Sequence, residues 1–249
     1  MTTVMGIKGY DPLRKKEYII FAGDSEWNLG SRSIRYNAKK IFTNNDGNLM
    51  LAYAGGAVLQ KETVDEKHPE IIMAAERFLS KEHNSTQETI KELKKLDKIT
   101  NQGNRNNGYT FANKTDLKLN WYSKGKKNNS MVMYALGTGA KKLRERNLVV
   151  PRLKMFDEVD EEKIYSEMTS LLKASFDLIS QASAIDEATG GFFNFGLLTR
   201  ESAMIFEEFA PMYNSHTPDE LFEIGKYCLI EKLSSHGINV ENLDDLVLI

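Results

Sequence analysis

Apolar positions along this chain follow two rhythms, and the switches between them divide it into blocks. Thr3 to Gly9 and Glu17 to Gly23 are short β-branched or aromatic runs, separated by Tyr10-Asp11-Pro12-Leu13-Arg14-Lys15-Lys16, whose proline and charges suit a turn, so the pair predicts a hairpin. Lys39 to Phe42 and Leu49 to Ala54 predict a second hairpin, joined through Asp46-Gly47, a strong turn signal. From Pro69 the spacing becomes helical: Ile71, Ile72, Ala75, Phe78 and Leu79 fall on one stripe, with Pro69 and Glu70 where a helix start wants them. A second, more charged helix is predicted over Thr86 to Leu96, followed by a polar Asn/Gly-rich loop from Thr100 to Gly108.

Strands resume at Tyr109 to Ala112, Leu117 to Tyr122 and Met131 to Leu136. Ile164, Met168, Leu171, Leu172, Leu178 and Ile179 then recur at helical spacing, predicting a helix from Asp160 to about Ser183 that closes on Gly190-Gly191. Phe192 to Leu198 and Met204 to Phe209 read as strands. Thr217 to Leu233 reads as a last amphipathic helix, with Thr217-Pro218 at its start and His236-Gly237 past its end. Strand blocks alternating with helix blocks imply an α+β layered sandwich rather than βαβ units.

Composition narrows the function classes. With 33 Lys and Arg against 35 Asp and Glu in 249 residues, net charge is −2, so no global field draws the chain to nucleic acid or a membrane. The local cluster Lys124, Lys126 and Lys127 reads as a solvated loop tip. Gly137-Thr138-Gly139 lacks the third glycine and following acid of a dinucleotide fingerprint. Cys228 cannot form an intramolecular disulfide, which suits a reducing cytoplasm, and its surroundings Gly225 to Ile230 suggest a packed helix face. The four histidines, His68, His83, His216 and His236, are scattered without zinc-site spacing, so no metal and no cofactor is expected.

The opening Met1-Thr2-Thr3 carries the most specific chemistry. Once Met1 is removed, Thr2 presents a hydroxyl nucleophile and a free α-amine on one residue, the minimum kit of an N-terminal nucleophile hydrolase. An α-amine with a reference pKa of about 8 is close enough to neutrality to take the hydroxyl proton. A lysine nearby would press that amine toward its neutral form, and a carboxylate would keep the lysine charged and in place. Gly23-Asp24-Ser25 at a strand end and Lys40 at the head of the next strand, sixteen residues later, offer both.

Together the Thr-Thr opening, the strand ending in Ala22-Gly23-Asp24, the Leu29-Gly30 that follows, and Lys39-Lys40-Ile41 resemble the proteasome β-subunit family and its bacterial relative HslV over Thr2 to Gly55. Two further segments look like that family's: Tyr134 to Ala140, with a hydroxyl between two glycines, and Ile185 to Gly191, an acid-and-hydroxyl loop. The resemblance implies a four-layer αββα sandwich over 1–209, with 210–249 as a C-terminal helical extension packed on it. It implies Thr2 as nucleophile, Lys40 tuning its amine, Asp24 holding Lys40, and Asp186 and Thr189 bonding around the amine. Thr138 would stand where the family has serine. The oxyanion would meet the N–H of Gly55 or, by a one-residue shift, Gly56. Trp27, Ala38, Phe42, Tyr53 and Ala57 would line a specificity pocket for small or flat uncharged side chains, although Phe42 and Tyr53 read equally well as core strand residues.

The chain departs from the family in a longer turn over Gly9 to Lys16, in the Asn101 to Asn107 segment and in the residues past Phe209. The resemblance implies a cytoplasmic threonine peptidase forming a homo-oligomeric ring, which takes peptides or unfolded protein and works with an unfolding ATPase. Two alternatives stand beside it: a connectase-like peptide ligase, in which an amine resolves the acyl-enzyme, and a non-catalytic structural subunit that keeps Met1.

Overall fold

A computed structural model describes residues 3–29, 32–55, 69–100, 107–123, 125–146, 164–187, 189–212 and 216–249. Its strands are β1 (Thr3–Asp11), β2 (Lys16–Asp24), β3 (Glu26–Leu29), β4 (Arg32–Asn37), β5 (Ile41–Thr43), β6 (Leu49–Ala54), β7 (Gly108–Asn113), β8 (Leu119–Ser123), β9 (Lys126–Met131), β10 (Met133–Gly137), β11 (Ile164–Tyr165), β12 (Phe192–Leu198) and β13 (Ala203–Pro211). The helices are α1 (Pro69–Leu79), α2 (Thr86–Thr100), α3 (Thr138–Glu145), α4 (Met168–Ile185) and α5 (Pro218–Ser235), with a terminal 3-10 helix over Leu243–Leu248.

The chain is mixed α+β and is organised on two antiparallel sheets. One runs β10-β1-β2-β12-β13, with β11 added parallel to β1; the other runs β5-β6-β7-β8-β9, and β3-β4 form a separate ribbon. Strand sequences explain the stacking. In β6, Leu49, Leu51 and Tyr53 pack with α1 and α2 residues such as Phe78 and Leu93, while Met50, Ala52 and Ala54 meet Val4, Ile19 and Phe21 of the first sheet. In β2 the alternation is Ile19 and Phe21 toward the second sheet and Ile20 and Ala22 toward α3, α4 and α5. Because both faces of these strands are covered, they read as continuous apolar runs instead of alternating ones.

The last forty residues belong to the same core. Phe222 of α5 lies 5.9 Å from Phe176 and 5.5 Å from Phe209 between ring centroids. Thr217 caps α5 in a capping box with Glu220. The terminal 3-10 helix is tied to α4 by the Thr169 N–H donating to Asp244 Oδ1 at 2.7 Å, and to the β1–β2 turn by Arg14 on Asp245 at 2.7 Å.

Several sequence expectations are corrected. Cys228 is exposed, not packed: the buried stripe of α5 is Leu221, Phe222, Gly225 and Leu229, and a residue one step from Leu229 is turned about 100° away. Cys228 instead lines an open groove of about 430 Å³ between α5 and β13. Lys126 and Lys127 stand in β9, paired with Ser123 and Tyr122, rather than in a loop tip, although their side chains are exposed; Lys124 lies outside the described residues. The helix expected from Asp160 begins at Met168, because Ile164-Tyr165 pair as a strand with Gly9-Tyr10 of β1; 160–163 are outside the described residues. The expected 100–108 loop is shortened by α2, which continues through Leu96 to Thr100.

Candidate active site

The site is built where the first strand enters the first sheet. Val4 pairs with Gly23, and this register brings Asp24, the last residue of β2, beside Thr3. The Thr3 N–H donates to Asp24 Oδ1 at 2.7 Å. Asp24 Oδ2 accepts from Lys40 Nζ at 2.8 Å, from the Gly190 N–H at 3.2 Å and from the Glu26 N–H at 3.2 Å. Lys40 also donates to the Glu26 carbonyl at 2.5 Å. The side chains of the pair are 5% and 0% exposed, Lys40 and Asp24 respectively. Burial pushes the Lys40 ammonium below the ordinary lysine value, against the Asp24 charge that raises it.

A second cluster lies on the other side of Thr3. Thr3 Oγ1 is 2.8 Å from Thr189 Oγ1. Thr189 donates its one hydroxyl proton to Asp186 Oδ2 at 3.0 Å, so the proton shared between the two threonines is the one on Thr3. Thr138, the first residue of α3, donates to the same Asp186 oxygen at 2.6 Å, and Lys142 Nζ reaches Asp186 Oδ1 at 2.8 Å. Burial raises the Asp186 carboxyl, but the bonds from Lys142, Thr138 and Thr189 outweigh it and hold the group below the usual aspartate value.

Glycines allow these groups to converge. Gly139 sits against the threonine pair, and a Cβ there would overlap Thr3 Oγ1 and stand 2.7 Å from Thr189 Oγ1. Gly137 enters α3 with φ 102°, a region that side-chain-bearing residues avoid. Gly191, at φ +78°, would place a Cβ 2.5 Å from Ser25 Oγ, which itself accepts the Phe192 N–H at 2.8 Å.

Of the residues selected from sequence, Asp24, Lys40, Thr138, Asp186 and Thr189 therefore surround Thr3 in two hydrogen-bonded groups. Thr2 and Ala57 lie outside the described residues. Gly55 follows β6, whose Tyr53 N–H donates to the Lys40 carbonyl at 3.0 Å. Phe42 and Tyr53 are buried in the core beneath α1 and α2. Ala38 is buried, with its N–H on the Ser25 carbonyl at 2.6 Å. Trp27 pairs through its backbone with Tyr36.

Sequence reasoning missed Thr3, Gly139, Lys142 and the Glu26 carbonyl. Lys142 was accessible to it, since a residue four positions after Thr138 shares its helix face; a main-chain carbonyl carries no sequence signal. Among the described residues there is no group of three or more His, Cys, Asp or Glu that could hold a metal ion, and no helix is long and apolar enough to cross a membrane. The chain matches no protein-family model and no curated protein.

Proposed function

We propose that this chain is a proteasome-like threonine peptidase that cleaves peptide bonds through an acyl-enzyme on Thr2 after Met1 is removed, on a four-layer αββα sandwich. The observation that carries the reading is the treatment of Thr3: its N–H is held by the buried Asp24–Lys40 pair and its hydroxyl by the Asp186–Thr189 pair. Networks that hold both the main chain and the side chain of the residue next to Thr2 support this reading, because a nucleophile activated by an adjacent base needs both groups oriented.

In this reading Thr2 Oγ attacks the scissile carbonyl carbon while its proton passes to the Thr2 α-amine, and the C–N bond breaks as that proton moves to the leaving amine. The resulting ester is opened by water, which restores the hydroxyl. The Lys40 ammonium favours the neutral form of a nearby amine, and its bonds to Asp24 and the Glu26 carbonyl fix where its charge sits. The Gly55 N–H is assigned to the developing oxyanion.

Intact-protein mass spectrometry before and after an epoxyketone or β-lactone directed at N-terminal threonine tests the reading, with Thr2→Ala as control. The expected result is loss of Met1 and one adduct that Thr2→Ala abolishes. Retained Met1 with no adduct overturns it. Once an adduct is seen, release of free acid from a peptide identifies hydrolysis, and joining of an added peptide amine identifies the ligase alternative.

A further inference from the structure

We infer that Lys142 is a positioning residue of the site: a counter-ion that keeps Asp186 an acceptor-only carboxylate and so strengthens its hold on the hydroxyl relay from Thr3 through Thr189. The inference rests on the reading above only for its consequence on acylation; the effect on Asp186 stands on geometry alone.

The relay has one polarity when Asp186 is ionised. A carboxylate accepts and cannot donate, so Thr138 and Thr189 both turn their protons toward Oδ2, and Thr189 presents only lone pairs to Thr3. A protonated Asp186 carries a donor of its own. With the proton on Oδ2 one hydroxyl would have to reverse, and reversal at Thr189 turns a proton toward Thr3 Oγ1, 2.8 Å away; with the proton on Oδ1 both hydroxyls still donate to Oδ2, but to a neutral and weaker acceptor. The charge on Asp186 thus sets how strongly both hydroxyls are held pointing toward the acid.

Three observations make Lys142 the group that holds that charge. It occupies Oδ1, the carboxylate oxygen that neither threonine takes, at 2.8 Å. It lies one helical turn after Thr138, so one face of α3 delivers both a hydroxyl and a cation to the same acid. The Asp186 side chain is 3% exposed while Lys142 is 42% exposed, so the acid has lost most of its water and its partner has not. Among the described residues Lys40 also acts on Asp186: its ammonium feels the Asp186 charge but donates to Asp24 and Glu26 instead. Of these two lysines, Lys142 is the one that bonds to Asp186 and holds its midpoint down.

The test compares wild type, Lys142→Met and Lys142→Arg, with Thr2→Ala as the reaction control. The first readout is the carboxyl carbon resonance of ¹³C-labelled aspartate against pH, assigned with Asp186→Asn. Lys142→Met should raise the Asp186 midpoint, and Lys142→Arg should return it toward the wild-type position. The second readout is the rate of Thr2 acylation by the β-lactone against pH. Lys142→Met should slow it about three- to tenfold near neutrality and move its acid limb to higher pH, with arginine restoring both. An unchanged Asp186 midpoint in Lys142→Met overturns the inference, as does a moved midpoint with an unchanged acylation profile. No Thr2 adduct in wild type overturns the peptidase reading alone, and the resonance then decides the role of Lys142.

Discussion

Substituting Gly139 by alanine interrogates the packing that brings both networks to Thr3. A methyl at this position would overlap Thr3 Oγ1 and stand 2.7 Å from Thr189 Oγ1 and 2.9 Å from Ala182 Cβ. Three elements meet there: the first strand, the loop after α4 and α4 itself. None can retreat alone, because Thr3 is pinned by Asp24 at 2.7 Å and Thr189 by Asp186 at 3.0 Å. Overpacking of this kind costs about 1–3 kcal/mol. Separating the threonines strands a buried hydroxyl, at about 1–3 kcal/mol more. Alanine returns up to about 1 kcal/mol of helix propensity in α3.

The net expectation is a loss of about 1–5 kcal/mol, which for a chain of this size lowers Tm by about 2–20 °C. Thermal unfolding followed by circular dichroism measures it. A double-mutant cycle makes the reasoning specific. In a Thr3→Ala background the overlapping oxygen is gone, so Gly139→Ala should cost less than half as much. A Tm change under about 2 °C, or an equal cost with threonine and alanine at position 3, would refute the placement of α3 against β1.

Other consequences follow from buried charge and buried base. Lys40→Met removes one partner of a pair that is 5% and 0% exposed, leaving Asp24 without its cation; the expected cost is about 3–5 kcal/mol in urea unfolding, smaller when combined with Asp24→Leu, and an unaffected single variant would contradict the pairing. His83 is fully buried with Nε2 2.9 Å from the Phe78 carbonyl, and burial holds its pKa below the usual histidine value. The folded state therefore binds fewer protons than the unfolded one below about pH 6.5, so His83 costs nothing above that pH and stability falls as pH drops toward the depressed folded value. In urea titrations between about pH 7.5 and 5, His83→Gln should flatten that fall, and an identical slope would rule the contribution out.

Much of the fold was legible because its strands are bounded by sharp turn chemistry. Leu49 to Ala54 and Phe192 to Leu198 were delimited correctly from composition, and Thr217 was placed as the cap of α5. The ribbon of Glu26–Leu29 with Arg32–Asn37 was not, since runs of four and six residues with two apolar positions each, Trp27/Leu29 and Ile34/Tyr36, are too short to stand out. Cys228 was misplaced because Ile224, Tyr227 and Cys228 extend the apolar surface of α5 beyond its buried stripe. At the site, acids and hydroxyls were found through ordered motifs, whereas Lys142 and Gly139 were passed over because each matters only through a neighbour brought close by the fold. The opposite sides of Thr3 come from residues 24–40 and 138–189, a juxtaposition that sequence order does not express.

The two lysines differ in what they can reveal. Lys40 and Asp24 are both out of water, and Asp24 accepts four bonds at once. Removing either charge leaves the other uncompensated in a low-dielectric interior, so any effect on the proposed chemistry arrives together with loss of fold. Lys142 keeps 42% of its side-chain surface in solvent while its acid is 3% exposed. Removing it costs the lysine nothing in desolvation and leaves an acid still held by two hydroxyls. The carboxylate survives in place, with its proton affinity raised. Charge and architecture are therefore separable at Lys142 and inseparable at Lys40, and a pH-dependent change of chemistry without a change of fold can be sought only on the side of the site where α3 meets Asp186.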